Sequence, residues 1–306
     1  MKFKEYAGNP VLVTGSKGEW DAGALGTMSV LKVGDLFHMY YEAWGQRSGT
    51  QWVKEDYYSL QIGHATSRDG IHWIKDPKNP VLKKGAAGQW DHHGTWDPFV
   101  LYEDSLFKMW HGGGANDYCD WSYATSRDGS HFTKHGKISS LGNVEDIHIV
   151  HDRDSGKYHM YYWDRAREPI GLCHVVSPNE TNFDFSNIET IEIKGETGMY
   201  KFTHVIQEND GWYMFYSNFV RPNCPDATIR LATSPNGSDW TAINRNLLPG
   251  QDGEILNIGD DQWLMYYGPR GYFDSKDCSI NVAEYQGKLA DLAEQGVALD
   301  ADKRRK

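Results

Sequence analysis

Apolar and polar positions along the chain fall into short runs separated by turn residues, a spacing that predicts strands rather than helices. Phe99, Val100, Leu101 and Tyr102 form an apolar run, Glu103-Asp104-Ser105 turns, and Leu106 to Trp110 runs back, so this stretch reads as a hairpin. The return strand carries a mark that recurs. Met39-Tyr40-Tyr41, Met109-Trp110-His111, Met160-Tyr161-Tyr162, Met214-Phe215-Tyr216 and Met265-Tyr266-Tyr267 each close a strand that follows a turn. They recur about every fifty residues, with a longer first step that holds a polar insertion from Trp44 to Tyr58.

Two further repeats keep the same register. Asn9-Pro10-Val11-Leu12 returns as Asn79-Pro80-Val81-Leu82, and Gly18-Glu19-Trp20-Asp21 as Gly88-Gln89-Trp90-Asp91. The run Ala65-Thr66-Ser67-Arg68-Asp69-Gly70 returns as Ala124 to Gly129 and, altered, as Ala232 to Gly237; each copy ends in Asp-Gly or Asn-Gly, a hairpin turn signal. Units of this length with several short strands bury their faces only against one another, which is the requirement of a propeller blade. The pattern therefore predicts an all-β chain: one five-bladed β-propeller over residues 1–306, with four-stranded antiparallel blades around a central channel. A short peripheral tail follows from about residue 287, where Lys288 to Gln295 has helical character.

Composition narrows the partners. Hydrophobic residues make up 39% of the chain, and 12 Trp, 18 Tyr and 11 Phe supply a core with aromatic faces to spare for a site. The net charge of -11, with no basic run except Lys303-Arg304-Arg305-Lys306, argues against nucleic acid. No apolar run reaches the length of a membrane span, and the N-terminus lacks the apolar core of a secretory signal. A cytoplasmic protein is expected, or a secreted or periplasmic one if a leader has been removed. Cys119, Cys173, Cys224 and Cys278 stand singly, which excludes zinc-ribbon and thioredoxin motifs while permitting disulfides. The sequence leaves the oligomeric state open.

The order of strands, the Asn-Pro-Val-Leu and Gly-x-Trp-Asp boxes and the Ser-x-Asp-Gly-x-aromatic turns resemble the five-bladed propeller glycosidases, the superfamily with glycoside hydrolase families 32, 43, 62, 68, 117 and 130. That resemblance implies acids at the start of the innermost strands of the first three blades, converging on the channel mouth. Trp96-Asp97-Pro98 is similar to the Arg-Asp-Pro box of family 32 and the Asp-Pro box of family 43. Val144-Glu145-Asp146-Ile147-His148-Ile149 is similar to the patterns that carry the general acid. The first blade departs from the family pattern: Thr27 stands where the aspartate belongs, and Asp21 is the nearest substitute.

Glycosidic cleavage needs one protonated carboxyl at the leaving oxygen and one ionised carboxylate at the anomeric carbon or its water. Glu145 is the expected acid. Asp97, placed by Pro98 just outside the sheet, is the expected base, nucleophile or pKa modulator, and Asp21 completes a triad if it reaches the same pocket. Asp91, the repeat partner of Asp21, gives Asp21 an equally natural structural reading. Adjacent strand residues face opposite ways, so only one of Glu145 and Asp146 is expected in the channel. Substrate contacts are expected from Trp96, Trp163, Asp146, His93, His148, His204, Arg165, Glu196 and Glu254.

His92, His93, His148 and His204 form no known metal motif and read as sugar-hydroxyl partners or carboxylate orienters. No cofactor is required; a structural calcium in the channel is the one metal the resemblance allows, and its oxygen ligands cannot be singled out. The expected function is a glycoside hydrolase that removes terminal sugars from an oligosaccharide. The absent aspartate at Thr27 keeps open a glycan-binding propeller without turnover. A phosphorylase would need a cationic phosphate site, for which Arg165, Arg167, Arg221 and Arg230 are available but not clustered.

Overall fold

In a computed structural model the chain is described over residues 3–45, 59–115, 118–139, 141–167, 171–219, 227–243, 246–269 and 278–294. Five antiparallel sheets form the blades of a five-bladed propeller, and one sheet gains a short fifth strand, Leu248–Pro249. Strands run outward in chain order within each blade. Blade 1 comprises Ala24–Val33, Leu36–Trp44, Gln61–Ser67 and Ile74–Lys75; the inner strands of blades 2 to 5 are Gly94–Glu103, Val144–His151, Met199–Glu208 and Gln251–Gly259. Blade 5 takes its outer strand from the start of the chain, where Lys4–Glu5 pairs with Glu284 and Ala283 and so closes the ring.

The Met-aromatic strands hold the blades together. Met39, Met109, Met160, Met214 and Met265 are fully buried and sit in register opposite Val30, Val100, Ile149, Val205 and Ile255. Each such side chain is worth about 1.5–3 kcal/mol on burial, repeated in every blade. The aromatic after the methionine reaches the next blade. Tyr40 donates its hydroxyl to the Gly129 carbonyl at 2.9 Å, Tyr161 to Gly237 at 2.7 Å, Tyr266 to Gly70 at 2.8 Å, and Trp110 donates its indole N–H to Glu180 at 2.8 Å. The first three acceptors are the glycines of the repeated turn. Gly70 has φ +76°, and a Cβ there would lie 2.7 Å from Leu264, so the turn needs glycine for its backbone and for the close approach of blade 5.

A second link between blades occurs twice. His38 Nδ1 meets His64 Nε2 at 3.0 Å, His64 Nδ1 meets Asp76 at 3.1 Å, and Ser130 of the next blade bonds the same carboxylate. In blade 3, His159 meets His174 at 2.9 Å, His174 meets Glu189 at 3.0 Å, and Ser238 donates to Glu189 at 3.0 Å. Burial, then the neighbouring histidine, lowers His38 and His159 each to about 4.

The tail is docked at its start. Residues 289–294 form a short helix whose Leu289 and Leu292 are buried with Phe3, Trp263 and Tyr285. Lys303 to Lys306, Cys224, Arg221 and nearly all of the Trp44–Tyr58 insertion lie outside the described residues. Cys119 and Cys173 are thiols outside any disulfide. Among the described residues no helix is long and apolar enough to cross a membrane.

Candidate active site at the channel mouth

Every inner strand carries a β-bulge at the same level. Its register slips between Leu25 and Met28, Trp96 and Phe99, Glu145 and His148, Lys201 and His204, and Gln251 and Glu254. A bulge adds a residue and re-aims a side chain. Here it turns Thr27, Asp97, Asp146, Phe202 and Asp252, one from each blade, into the wall of a single axial cavity. The last four have φ between +45° and +58°; aspartate visits that region more readily than most residues because its short polar side chain bonds locally. Asp97 is therefore inside a strand and only 8% exposed, not outside the sheet as the Asp-Pro pair suggests.

Asp97 is the best-connected acid of the ring. One oxygen accepts the Thr27 hydroxyl at 2.9 Å, the other accepts the Asp146 amide at 3.1 Å, and its own amide donates to Glu42 at 2.9 Å. Burial and then the charge of Glu145 push its carboxyl up to about 6, against the Asp146 amide, Thr27 and Lys201, which favour the charged form. Burial likewise pushes Asp252 up to about 7 and holds Asp146 and Glu42 well above the usual carboxylate range. Burial works to discharge Lys201, yet Asp146, Glu145 and Asp252 outweigh it and raise its pKa. Asp146 Oδ2 and Asp252 Oδ1 are buried without a hydrogen-bond partner, acceptors available to sugar hydroxyls.

Glu145 stands beside this ring rather than in it. One of its oxygens is ion-paired with Arg165 and the other lies 3.8 Å from Lys201, which is also 4.0 Å from Asp146. Its side chain keeps 22% exposure. Of the pair of which only one was expected to face the channel, the bulge gives that place to Asp146 and not to Glu145, the acid that the resemblance implied.

Several expected contacts lie elsewhere. Asp21 is 2% exposed and ion-paired at 2.5 Å with Lys75 of the outer strand, as Asp91 is with Lys134, so it is a turn anchor and rebuilds no triad. Glu196 is taken by Arg230 at 2.8 Å and by the Tyr216 hydroxyl at 2.5 Å. Trp163 is 2% exposed in the packing between blades 3 and 4, which leaves no face for a sugar ring. Trp96 is partly buried, with its indole N–H on the Cys119 sulfur at 3.1 Å. His93 stacks edge to face on His92 ahead of the blade 2 inner strand.

His148, His204 and Glu254 do converge, one level below the acid ring; His148 and Glu254 line the same cavity, and all three line a second one beneath it. Sequence reasoning missed Asp252, Lys201 and Glu42. Counting back from Met265 and Met214 by the twelve residues that separate Asp97 from Met109 lands on Gly253 and Phe202, one residue beyond Asp252 and Lys201. Glu42 comes from the second strand of blade 1 and enters the ring because residue 26 is glycine: a Cβ there would lie 2.0 Å from its carboxylate. Calcium, the metal allowed by the resemblance, takes six to eight oxygens; the one group of metal-type donors among the described residues holds two imidazoles, so it does not fit.

No family model matches the chain. It is 25% identical over 165 residues to a 1,2-β-oligomannan phosphorylase of Thermoanaerobacter sp., a match that spans 53% of each chain, about half of that protein. Its fold is similar to that of the β-1,2-mannobiose phosphorylase of Listeria innocua, solved with β-1,2-mannobiose (TM-score 0.74, 15% identity, 97% of this chain and 100% of that one). It is also similar to a family-130 structure, from a family of mannoside phosphorylases containing glycoside hydrolases that target β-1,2 mannosidic linkages in Candida mannan (TM-score 0.69, 17% identity, 93% of each chain). The resemblance to the five-bladed propeller glycosidases thus holds at the level of fold.

Proposed function

We propose that the chain cleaves β-mannosides, the 1,2-linked ones first, by hydrolysis at the acid ring. The substrate class is that of the similar proteins, which act on β-1,2-linked mannosides. The observation that carries the reading is Asp97: a buried carboxyl at about 6, fixed by Thr27 and the Asp146 amide, and so protonated in part near neutral pH. In the proposed reaction Asp97 gives its proton to the leaving oxygen as the bond to the anomeric carbon breaks. A water attacks that carbon and yields its proton to Glu145, the most exposed carboxylate beside the ring. These roles exchange those expected from sequence. Asp146 and Asp252 take sugar hydroxyls.

Water, rather than phosphate, is the proposed acceptor because the cations are already compensated. Arg165 and Lys201 both engage Glu145, and Asp146, Asp252 and Asp97 also act on Lys201. Phosphorolysis is the second reading, favoured by the presence of those two cations beside Glu145 and by the activities of the similar enzymes. Incubation with β-1,2-mannobiose, with and without inorganic phosphate, tests the two. Mannose at a rate independent of phosphate supports hydrolysis; mannose 1-phosphate formed only with phosphate overturns it, and binding without any turnover would return the glycan-binding alternative.

A further inference from the structure

The level below the acid ring is built differently from the ring itself. Blades 3, 4 and 5 place His148, His204 and Glu254 two residues beyond Asp146, Phe202 and Asp252, at 3%, 8% and 6% exposure. One donor atom from each lies within 4.8 Å of the others. His204 Nδ1 bonds Glu254 at 2.5 Å, and the Val30 amide fixes the second oxygen of Glu254 at 3.2 Å. His148 Nε2 is buried with no hydrogen-bond partner, so one polar atom of the cluster lacks any protein group to meet. The rings of Phe99 and His204 flank His148 at 4.2 Å each, and these side chains limit its freedom to turn away.

We propose that His148, His204 and Glu254 bind one divalent first-row transition metal ion of the zinc class, on the propeller axis beneath the acid ring. Imidazole nitrogen with a single carboxylate is the donor set such ions take, and it is unlike the oxygen cage of calcium. Tetrahedral bonds of about 2.0–2.1 Å put ligand atoms about 3.4 Å apart, so the cluster closes on an ion through side-chain shifts on the order of an ångström. His204 ligates through Nδ1, whose proton moves to Nε2 on binding, so the nitrogen and the carboxylate oxygen that share a hydrogen bond in the empty cluster both turn to the ion. Ligation through His148 Nε2 moves that ring's proton to Nδ1 and gives up the contact with the Val205 amide, which at 3.3 Å is the longest in the cluster. The three residues also line a second cavity, open toward the far end of the channel past His151, Arg153 and Glu208, which supplies a route for the ion that does not cross the acid ring. The role is structural. The ion ties together the three blades that hold Asp146, Lys201 and Asp252, and blades 1 and 2 contribute Ser29 and Phe99 at the same level.

The test uses the whole chain, stripped with chelator and dialysed, then titrated with Co2+ and with Zn2+. One Co2+ per chain with visible d–d absorption, displaced by Zn2+, is expected, together with a Tm rise of roughly 3–6 °C at free Zn2+ a hundredfold above Kd. His148→Gln should weaken binding by about tenfold or more while His92→Ala/His93→Ala leaves it unchanged. Absence of stoichiometric Co2+ binding to the wild-type chain overturns the proposal even if the His148 variant does not fold. So does loss of the site in the His92/His93 variant. These readouts need no turnover, so their failure is distinct from failure of the hydrolase reading.

Discussion

In blade 1, Asp21 is buried against Lys75; in blade 2, Asp91 is buried against Lys134, and both pairs tie the turn ahead of an inner strand to the outer strand of the same blade. At the axis the same two blades part company. Blade 1 brings Gly26 and Thr27 on its inner strand and Glu42 on its second, whereas blade 2 brings Trp96, Asp97 and Gly112 at the matching positions. The glycines explain the exchange: a Cβ on Gly26 would strike Glu42 at 2.0 Å, and one on Gly112 would strike the Trp96 indole at 2.5 Å. A large side chain fills the same level from opposite strands. The shell fixes the blade, and with the blade fixed the axis is free to differ, so an aspartate repeated in the shell reports architecture while an unrepeated one at the bulge reports chemistry.

The sharpest way to break this comparison is to remove one aspartate from each region. Asp97→Asn should lower turnover of β-1,2-mannobiose roughly a thousandfold, within the range of a lost general acid. Asp21→Asn should leave turnover within about twofold and instead lower stability by about 1–2 kcal/mol, because Lys75 loses its partner while keeping some access to water. Steady-state kinetics and urea unfolding on both variants separate the two outcomes; loss of turnover in Asp21→Asn would put that residue back in the site.

The histidine links of blades 1 and 3 sharpen the contrast on the shell side. His38 and His159 have folded-state pKa values lowered to about 4, below their unfolded value, so the native state holds them neutral and the unfolded chain binds more protons. Their contribution is full above about pH 6.5 and is lost as pH falls toward 4. The raised acids of the ring act in the opposite sense, since they gain protons in the folded state first. A difference measurement removes that background: the destabilisation caused by His38→Gln should be largest at pH 7 and should shrink by pH 4.5, read from urea unfolding at each pH.

The smallest effect falls on the axis of blade 1. Thr27 donates to Asp97 and favours its ionised form, so Thr27→Val should raise the Asp97 pKa and move the basic limb of kcat/KM upward by about half a unit. Wild type should lose activity as pH rises through about 6, since a general acid works only while protonated. An unshifted limb in Thr27→Val would detach Asp97 from that limb.

The fold was legible because its signals are local and repeated: Met39, Met109, Met160, Met214 and Met265 mark one strand of every blade, and Gly70, Gly129 and Gly237 mark the turns they pin. The ring was half legible. Thr27 and Asp97 share a position that counting from the methionines finds, but Glu145 and Asp146 are neighbours, and choosing between them needs the bulge, which alternation does not reveal. Glu42 depends on the absence of a side chain at Gly26, a fact about space rather than pattern. Glu196 was misread because Arg230, its partner, lies on another strand.

If Asp97 delivers the proton, its loss must depend on how much protonation the leaving group needs. Asp97→Asn is assayed on β-1,2-mannobiose and on a β-mannoside with an activated dinitrophenyl leaving group, which departs without protonation. A loss of roughly a thousandfold is expected on the first and less than about tenfold on the second; equal losses on both would remove Asp97 as the proton donor, because a residue that binds, attacks or merely supports the fold fails every substrate alike.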